Sequence, residues 1–396
     1  MMRILFLASR VPAPPIQGDR IRAYHQLRLL GERHEVILVA PVRNRTDRQG
    51  LQEVAAFCKR VEVVELPSRH AYWSLARSFR TGIPWQVALF CPPPLAHRVR
   101  ALAREEEVDL IHIQLARMAP ATQGVSAPVV IDLVDALSLN FAQRADLAPP
   151  PVAWVMRREA ERLRAYEQVL LRTGIPLIVT SPVDRAAVGS AVHVVPNGVD
   201  IEAFPFVECD RRAANIVFCG RMDSFPNIDA AVFFARKVFP LIRREIPDAR
   251  FLIAGAAPAP RVKRLGHLRG VAVLGFVPSM AEVLHRAAVA VCLRRVATGI
   301  QNKVIEAMAA GTPVVATSKA VGGIPDARDR EHCLVEEEPE ELASACTRLL
   351  RDRRLARHLS KEARALVEAQ YTWVRSVSLL EAIYQQAIEH GRCAVH

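Results

Sequence analysis

The sequence predicts an α/β protein built from two doubly wound parallel sheets. Near-continuous runs of Val, Ile and Leu alternate with amphipathic stretches from one end of the chain to the other. Such runs are typical of parallel strands buried on both faces, and the intervening stretches are typical of crossover helices. A length of 396 residues exceeds what one core usually supports and therefore favours two domains.

The candidate strands fall into two sets. The first set is Arg3–Ala8, Glu35–Ala40, Val61–Leu66, Leu110–Ile113, Pro128–Leu133, Leu177–Thr180 and Val192–Val195. The second set is Asn215–Cys219, Arg250–Ala254, Val271–Leu274, Ala288–Leu293, Pro313–Thr317 and Cys333–Val335. Residues 195–215 separate the sets, because Asn197-Gly198 is a turn signal and prolines and charges follow it. We expect two Rossmann-like domains, 1–195 and 196–375, that face each other across a cleft.

Composition narrows the class of protein. Hydrophobic residues make up 51% of the chain and charged residues 24%, which is typical of a globular protein. The eight cysteines are scattered and form no C-x-x-C pair, so we predict no disulfide framework, no metal site and a reducing compartment. The first apolar run, Ile4–Ala8, is too short for a signal peptide or a membrane span, and no later run approaches the roughly 18 apolar residues that a span needs. We therefore expect a cytoplasmic protein, soluble or peripheral to the inner face of the cell membrane.

A protein with a net charge of +12 could bind nucleic acid, anionic lipid or small anions. Nucleic acid is disfavoured because no binding module is present and aromatic residues are only 6% of the chain. The stretch Val152–Arg172 reads as a helix with five arginines. That helix is either an ordinary solvated surface or a contact for anionic lipid headgroups.

The segment from Gly299 to Thr317, GIQNKVIEAMAAGTPVVAT, is the strongest candidate for chemistry. Ile300 and the apolar residues after it recur at helical spacing, and the run ends in a turn and a strand. Lys303 and Glu306 would share one helical face. A helix N-terminus with a lysine suits a diphosphate, and a carboxylate one turn further on can accept hydrogen bonds from ribose hydroxyls. The alternative is a common exposed Lys–Glu pair.

The EAMA run from Glu306, with the following G-x-P-V-V-A-T, resembles the nucleotide-sugar motif of retaining glycosyltransferases of family 4. The resemblance implies a GT-B fold, a nucleotide-sugar donor, no cofactor and a ribose-binding role for Glu306. In that family an E-x7-E motif places a first glutamate on the sugar, and Thr298 stands at its position here. The variant GIQNK resembles a branch associated with bacterial exopolysaccharide biosynthesis. We expect the donor to contact Thr298, Gly299, Ile300, Gln301, Asn302, Lys303 and Glu306.

Further segments resemble the same family in the expected order. VFCGRM would place Gly220 and Arg221 on the diphosphate, since a guanidinium can bind phosphate through two hydrogen bonds. Where the family often has Lys-Gly, this chain has Pro226-Asn227, so the second cation is either lost or supplied by Lys303. The resemblance also implies an interdomain signature at 195–200, a nucleobase loop at 274–284 and a last helix, residues 376–396, that returns to the first domain.

The first domain offers candidates for acceptor binding. Gly18 either allows close approach of the donor phosphate or serves only a turn, and Asp19 is a possible helix N-cap. Gln114 and Arg117 follow one strand end, where α/β sites gather, while His112 reads as a core histidine. Another strand end is followed by Asp135 and Ser138, candidates for the acceptor hydroxyl, and Asp135 is either catalytic or a helix N-cap.

The leading hypothesis is retaining transfer of a sugar from a nucleotide-sugar donor to a saccharide or a lipid-linked saccharide. Arg221 and Lys303 would stabilise charge on the leaving diphosphate. A catalytically silent nucleotide-sugar-binding protein is an alternative, supported by Thr298 and by Pro226-Asn227. A sugar-nucleotide epimerase is a further alternative, although no histidine–carboxylate cluster accompanies the motif.

Overall fold

The computed structural model describes residues 1–16, 18–42, 45–48, 50–65, 78, 81–208, 213–294 and 298–393. The chain divides into two compact units. Unit 1 comprises Met1–Pro196 together with Trp373–His396, and unit 2 comprises Asn197–Thr372. The last helix therefore belongs to the same unit as the N-terminal sheet.

Unit 1 is built on a parallel sheet with the strand order β3-β2-β1-β4-β5-β6-β7. Along β1, Ile4 and Phe6 enter one apolar cluster, whereas Leu5 and Leu7 enter another. Because successive side chains of a strand point to opposite faces, the sheet is covered on both sides, as the sequence predicts. The strands are β1 (Arg3–Leu7), β2 (Glu35–Val42), β3 (Arg60–Glu65), β4 (Leu110–Gln114), β5 (Val129–Val134), β6 (Leu177–Val179) and β7 (His193–Val194).

Helices of unit 1 cover both faces of this sheet. The C-terminal helix (Trp373–Cys393) packs in the cluster of Ile4 and Phe6, and Leu170 of a long helix packs in the opposite cluster. The helices are α1 (Gly18–Gly31), α2 (Arg45–Arg48), α3 (Leu51–Ala55), α4 (Trp85–Phe90), α5 (Pro93–Glu105), α6 (Leu137–Ala145), α7 (Pro150–Arg172) and α8 (Pro182–Val188), and a 3₁₀ segment spans Ala116–Thr122.

A buried polar network crosses the core of unit 1. Arg22 and Asp132 form an ion pair of 2.6 Å with neither side chain exposed, and Arg22 also donates to the carbonyl of Val195 at 3.0 Å. Nearby, the hydroxyl of Tyr384 lies 2.8 Å from Nδ1 of His112. Buried polar groups need such partners because desolvation without them is costly. The network therefore fixes α1 and the C-terminal helix to the sheet, and His112 is a core residue whose Nδ1 is hydrogen-bonded.

Unit 2 repeats the architecture with the parallel order β10-β9-β8-β11-β12-β13. Its strands are β8 (Asn215–Cys219), β9 (Arg250–Ala254), β10 (Val271–Gly275), β11 (Val289–Cys292), β12 (Val314–Ala316) and β13 (Leu334–Val335). Its helices are α9 (Phe225–Phe233), α10 (Phe239–Glu245), α11 (Pro260–Lys263), α12 (Met280–His285), α13 (Asn302–Ala309), α14 (Ser318–Val321), α15 (Pro339–Arg351) and α16 (Arg353–Gln370), with a π segment at Phe234–Val238 and a 3₁₀ segment at Arg264–His267.

Every strand predicted from the sequence is present, with its ends within two residues of the prediction, apart from Leu66, which lies outside the described residues. Two smaller expectations are wrong. Asp19 is not an N-cap, because α1 already includes Gly18, and its carboxylate instead pairs with Arg10 at 2.8 Å. Ile300 precedes its helix, which begins at Asn302. Within the described part of the chain, the helices are too short or too polar to span a membrane.

Candidate functional site

The candidate site of unit 2 lies at the carboxyl ends of two paired strands. β8 and β11 are parallel neighbours, so the residues that follow Cys219 and Cys292 lie at one edge of the sheet. Gly220 and Arg221 follow β8, and the loop after β11 leads into α13. In open α/β sheets ligands bind at this edge. The topology therefore places the two halves of the predicted donor motif side by side.

Lys303 occupies the first turn of α13 and points back toward β8. Its ammonium donates to Oδ1 of Asn227 at 2.8 Å and lies 4.3 Å from the ring centroid of Phe218. The amide nitrogen of Asn227 donates in turn to the carbonyl of Arg221 at 2.9 Å. Burial, with repulsion from Arg294, lowers the pKa of Lys303 to about 8. The ammonium is thus held at the sheet edge, where its desolvation costs free energy. A bound anion would offset that cost.

Asn227 is the residue that sequence reasoning missed. The sequence interpretation treated it only as the place where a second cation is lost. In the structure its side chain joins the loop after β8 to the ammonium of Lys303. The only sequence signal is its position, which is where the family often has Lys-Gly.

Glu306 follows one turn after Lys303 and is half-buried. Burial raises the pKa of its carboxyl to about 7, and the attraction of Lys303 opposes that shift. Hydroxyl donors would stabilise the ionised form of such a carboxylate, because their hydrogen bonds replace those of the water that burial removes. The geometry is compatible with ribose binding, which stays a prediction.

Arg221 is half-buried and held by Asp223. Its Nε donates to a carboxylate oxygen of Asp223 at 3.0 Å, and a terminal nitrogen contacts the other oxygen. The hydrogen bond to Asp223 raises the pKa of Arg221, so the guanidinium stays charged. A diphosphate would have to share or displace Asp223.

The loop before α13 is braced by side-chain contacts. Nε of Arg294 donates to Oε1 of Gln301 at 2.7 Å, and Nε2 of Gln301 donates to the carbonyl of Thr298 at 3.2 Å. Gly299 has φ of 65°, which favours glycine. Thr298, Ile300 and Gln301 are all buried in this arrangement. The side chains of Arg294 and Gln301 brace the loop, and donor contact by this segment stays a prediction.

Two further positions shape the edge. Asn302 accepts a hydrogen bond of 3.0 Å from the side chain of Asn197. Gly220 has φ of 146°, and a Cβ built there would lie 2.8 Å from Nδ2 of Asn227 and 3.2 Å from Nζ of Lys303. A larger residue at 220 would therefore displace the pair that carries the charge.

The acceptor candidates of unit 1 have defined partners. Nε2 of Gln114 donates to the carbonyl of Asp19 at 2.6 Å. The guanidinium of Arg117 lies 3.7 Å from the ring centroid of Phe90 and donates to Gln86.

The remaining candidates of unit 1 differ in exposure. Asp135 is half-buried and accepts from the hydroxyl of Thr180 at 3.3 Å. It is not a helix N-cap, because Ala136 occupies that position before α6. Ser138 is buried, and its hydroxyl and amide both donate to Glu167, so its side chain is committed to packing α7 on α6. A Cβ built on Gly18 would meet no heavy atom within 4 Å, which leaves room for a close approach.

With this geometry in place, comparison with known proteins defines the fold. Sucrose-phosphate synthase from Thermosynechococcus elongatus superposes with a TM-score of 0.72 over 98% of this chain and 100% of that one, at 20% identity. Anabaena Alr3699/HepE in complex with UDP and glucose superposes with a TM-score of 0.67 over 98% and 100%, at 16% identity. The chain has the GT-B fold.

Sequence comparison adds a domain assignment. Residues 213–352 match the family model described as Glycosyl transferases group 1, and they form a domain of that kind. A curated relative, the putative glycosyltransferase YtcC of Bacillus subtilis (strain 168), is 24% identical over 225 residues. That alignment covers 49% of this chain, and the chain spans about half (54%) of the relative's length.

Proposed function

We propose that this protein is a retaining glycosyltransferase that moves a sugar from a nucleotide-sugar donor to a saccharide or a lipid-linked saccharide. The observation that carries the proposal is the cluster of Arg221, Asn227, Lys303 and Glu306 at one sheet edge of a Glycosyl transferases group 1 domain. The Anabaena protein with the same fold holds UDP and glucose, which supports a uridine nucleotide as the first donor to test.

Each member of the cluster has a proposed task. Lys303 and Arg221 would bind the diphosphate and stabilise the negative charge that develops as it leaves. Asn227 would keep the ammonium aimed at the edge while the donor is absent. Glu306 would accept hydrogen bonds from the ribose hydroxyls, which requires its ionised form.

On the acceptor side, Gln114, Arg117 and Asp135 remain our candidates, and Asp135 is the one with a half-buried carboxylate next to a strand end. Retention of configuration, a place in exopolysaccharide biosynthesis and a cytoplasmic location rest on the sequence and its resemblance. By that resemblance the donor phosphate helps to remove the acceptor proton, so the chain needs no nucleophile of its own.

The test is Glu306→Ala, with Glu341→Ala at an exposed glutamate as the matched control in the same unit. We expect Glu306→Ala to lose both donor hydrolysis and transfer, while the control keeps them. Unchanged rates for Glu306→Ala would remove the proposal. Tight donor binding by the wild type without turnover over a panel of acceptors would favour the silent binding protein. An epimerised sugar nucleotide formed without acceptor would favour the epimerase.

A further inference from the structure

The start of α7 and the residues before it form an apolar segment that is exposed along one side. Residues 147–156 read LAPPPVAWVM, ten consecutive residues without a charged side chain. The prolines 149–151 are exposed, as are Val152 (45%), Trp154 (69%) and Val155 (37%). The only polar side-chain group among the ten is the indole N–H of Trp154. This segment, residues 147–156, is called the apolar tip below.

The apolar tip cannot turn inward, because the opposite side of α7 is already buried. Ala153, Ala160 and Leu163 face the core of unit 1. At 100° per residue, Trp154 and Arg158 lie on the side of the helix away from these positions. The exposed apolar side chains are therefore fixed toward solvent by the packing of α7 on α6.

Positive charge follows the apolar tip directly. The arginines of α7 outside its buried face are Arg157, Arg158, Arg162, Arg164 and Arg172. Exposed carboxylates nearby are Asp146, 3.3 Å from Arg157, and Glu161, 3.1 Å from Arg158. The other acids of α7, Glu159 and Glu167, are buried on its inner side. The exposed arginines of α7 thus outnumber the exposed carboxylates near them, and exposed pairs of this kind contribute little free energy and yield easily to other anions.

We propose that the apolar tip and the arginines after it dock this protein on an anionic lipid bilayer. Trp154, with Val152 and Val155, would enter the interfacial layer, where an indole keeps its N–H in water and its rings in the acyl boundary. Arg157 and Arg158 would lie at the level of the lipid phosphates. The inference deepens the lipid-linked acceptor of the proposed function, because docking would bring unit 1 to the surface that holds such an acceptor.

The experiment is sedimentation of the full chain with vesicles of equimolar phosphatidylglycerol and phosphatidylcholine, without any substrate. We expect Trp154→Ser with Val155→Ser to raise the lipid concentration for half-binding by about tenfold or more, since each loses buried apolar surface. Arg157→Gln with Arg158→Gln should raise it by roughly tenfold too, and more salt should weaken wild-type binding. The matched control is Val374→Ser, a 59% exposed valine on the C-terminal helix, which covers the opposite face of the sheet.

Three results would overturn docking. The first is failure of the wild type to sediment with these vesicles, and the second is a control variant that weakens binding as much as the tip variants do. A wild-type dimer that the tip variants convert to monomer, without vesicle binding, would assign the surface to a second copy of the chain. Quenching of Trp154 fluorescence by brominated lipid, absent in Trp154→Phe, localises the contact.

The docking proposal and the proposed glycosyl transfer can be refuted independently of each other. UDP binding, measured on the same variants without vesicles, should be unchanged, because the apolar tip lies in unit 1 and the donor cluster in unit 2. Loss of UDP binding by the wild type would count against the proposed function and leave the vesicle result standing.

Discussion

Replacing Lys303 with Met is the sharpest perturbation of the donor cluster. The variant removes one positive charge from the edge of the unit 2 sheet, while its flexible side chain can still pack over Phe218. It also removes the hydrogen bond of 2.8 Å to Asn227. Burial lowers the pKa of Lys303 below the pKa of a lysine in the unfolded chain. At any pH below the unfolded pKa, the folded state therefore holds the proton less tightly than the unfolded chain does, and the ammonium destabilises the folded state. The methionine variant should therefore melt no lower than the wild type.

The magnitude follows from the charge and its protonation. A hydrogen bond to a charged group contributes about 1.5–3 kcal/mol, so loss of the ammonium should raise the Kd for UDP roughly 30-fold. With the pKa of Lys303 at about 8, the charged fraction falls from about nine-tenths at pH 7 to about one-tenth at pH 9. If only the charged form binds the diphosphate, loss of that charge alone raises the wild-type Kd about tenfold over that interval. Because the pKa of Glu306 is about 7, its ionised fraction roughly doubles over the same interval, so the net rise in Kd is about fivefold.

Isothermal titration of UDP at pH 7 and pH 9 measures both effects. Lys263→Met, an exposed lysine of α11, serves as the control and should keep the wild-type affinity and pH dependence. The reasoning is refuted if Lys303→Met binds UDP as tightly as the wild type. It is also refuted if that variant loses affinity between pH 7 and pH 9 as much as the wild type does.

Three further predictions concern the same two units. Gly220→Ala should weaken UDP binding roughly tenfold, since φ of 146° and the 2.8 Å approach to Asn227 strain the loop, and unchanged affinity by titration would contradict this. Asp132→Asn leaves Arg22 buried without its countercharge and should lower the free energy of unfolding by about 3–5 kcal/mol in denaturant melts; a change below about 1 kcal/mol would show that the ion pair contributes little. Burial raises the pKa of Glu159 to about 7, so its stabilising contribution is present at low pH and lost as the pH rises through 7. Glu159→Gln should therefore raise the free energy of unfolding at pH 8 by roughly 2 kcal/mol and leave it unchanged near pH 4. Denaturant melts in which the variant and the wild type have the same free energy of unfolding at pH 8 would contradict this prediction.

The strands could be predicted from the sequence because their pattern depends on local apolar runs. β8 and β9 have the predicted ends, since each strand is bounded by polar or turn residues. The helix of the donor motif could be predicted as well, but its first residue could not. Gln301 takes the extended N-cap conformation because its side chain bonds Arg294 and the Thr298 carbonyl, contacts that periodicity does not encode.

Long-range polar contacts could not be predicted. Ser138 stood out as an acceptor candidate because it follows a strand end, yet Glu167 from the next helix takes both its hydroxyl and its amide. Asp132 drew no attention, because a single acid within an apolar strand gives no sign of its partner Arg22, 110 residues away. Such pairs form only when the topology joins distant segments, so they become visible only in three dimensions.

The central claim is glycosyl transfer with retention from a nucleotide-sugar held by unit 2. The most direct measurement is proton NMR of the product that the wild-type protein forms from a nucleotide-sugar panel, beginning with UDP-glucose, and a panel of saccharide acceptors. The anomeric proton of the new linkage should show the same configuration as the donor sugar. A product with inverted configuration, or donor binding without any new glycosidic linkage, would contradict the account.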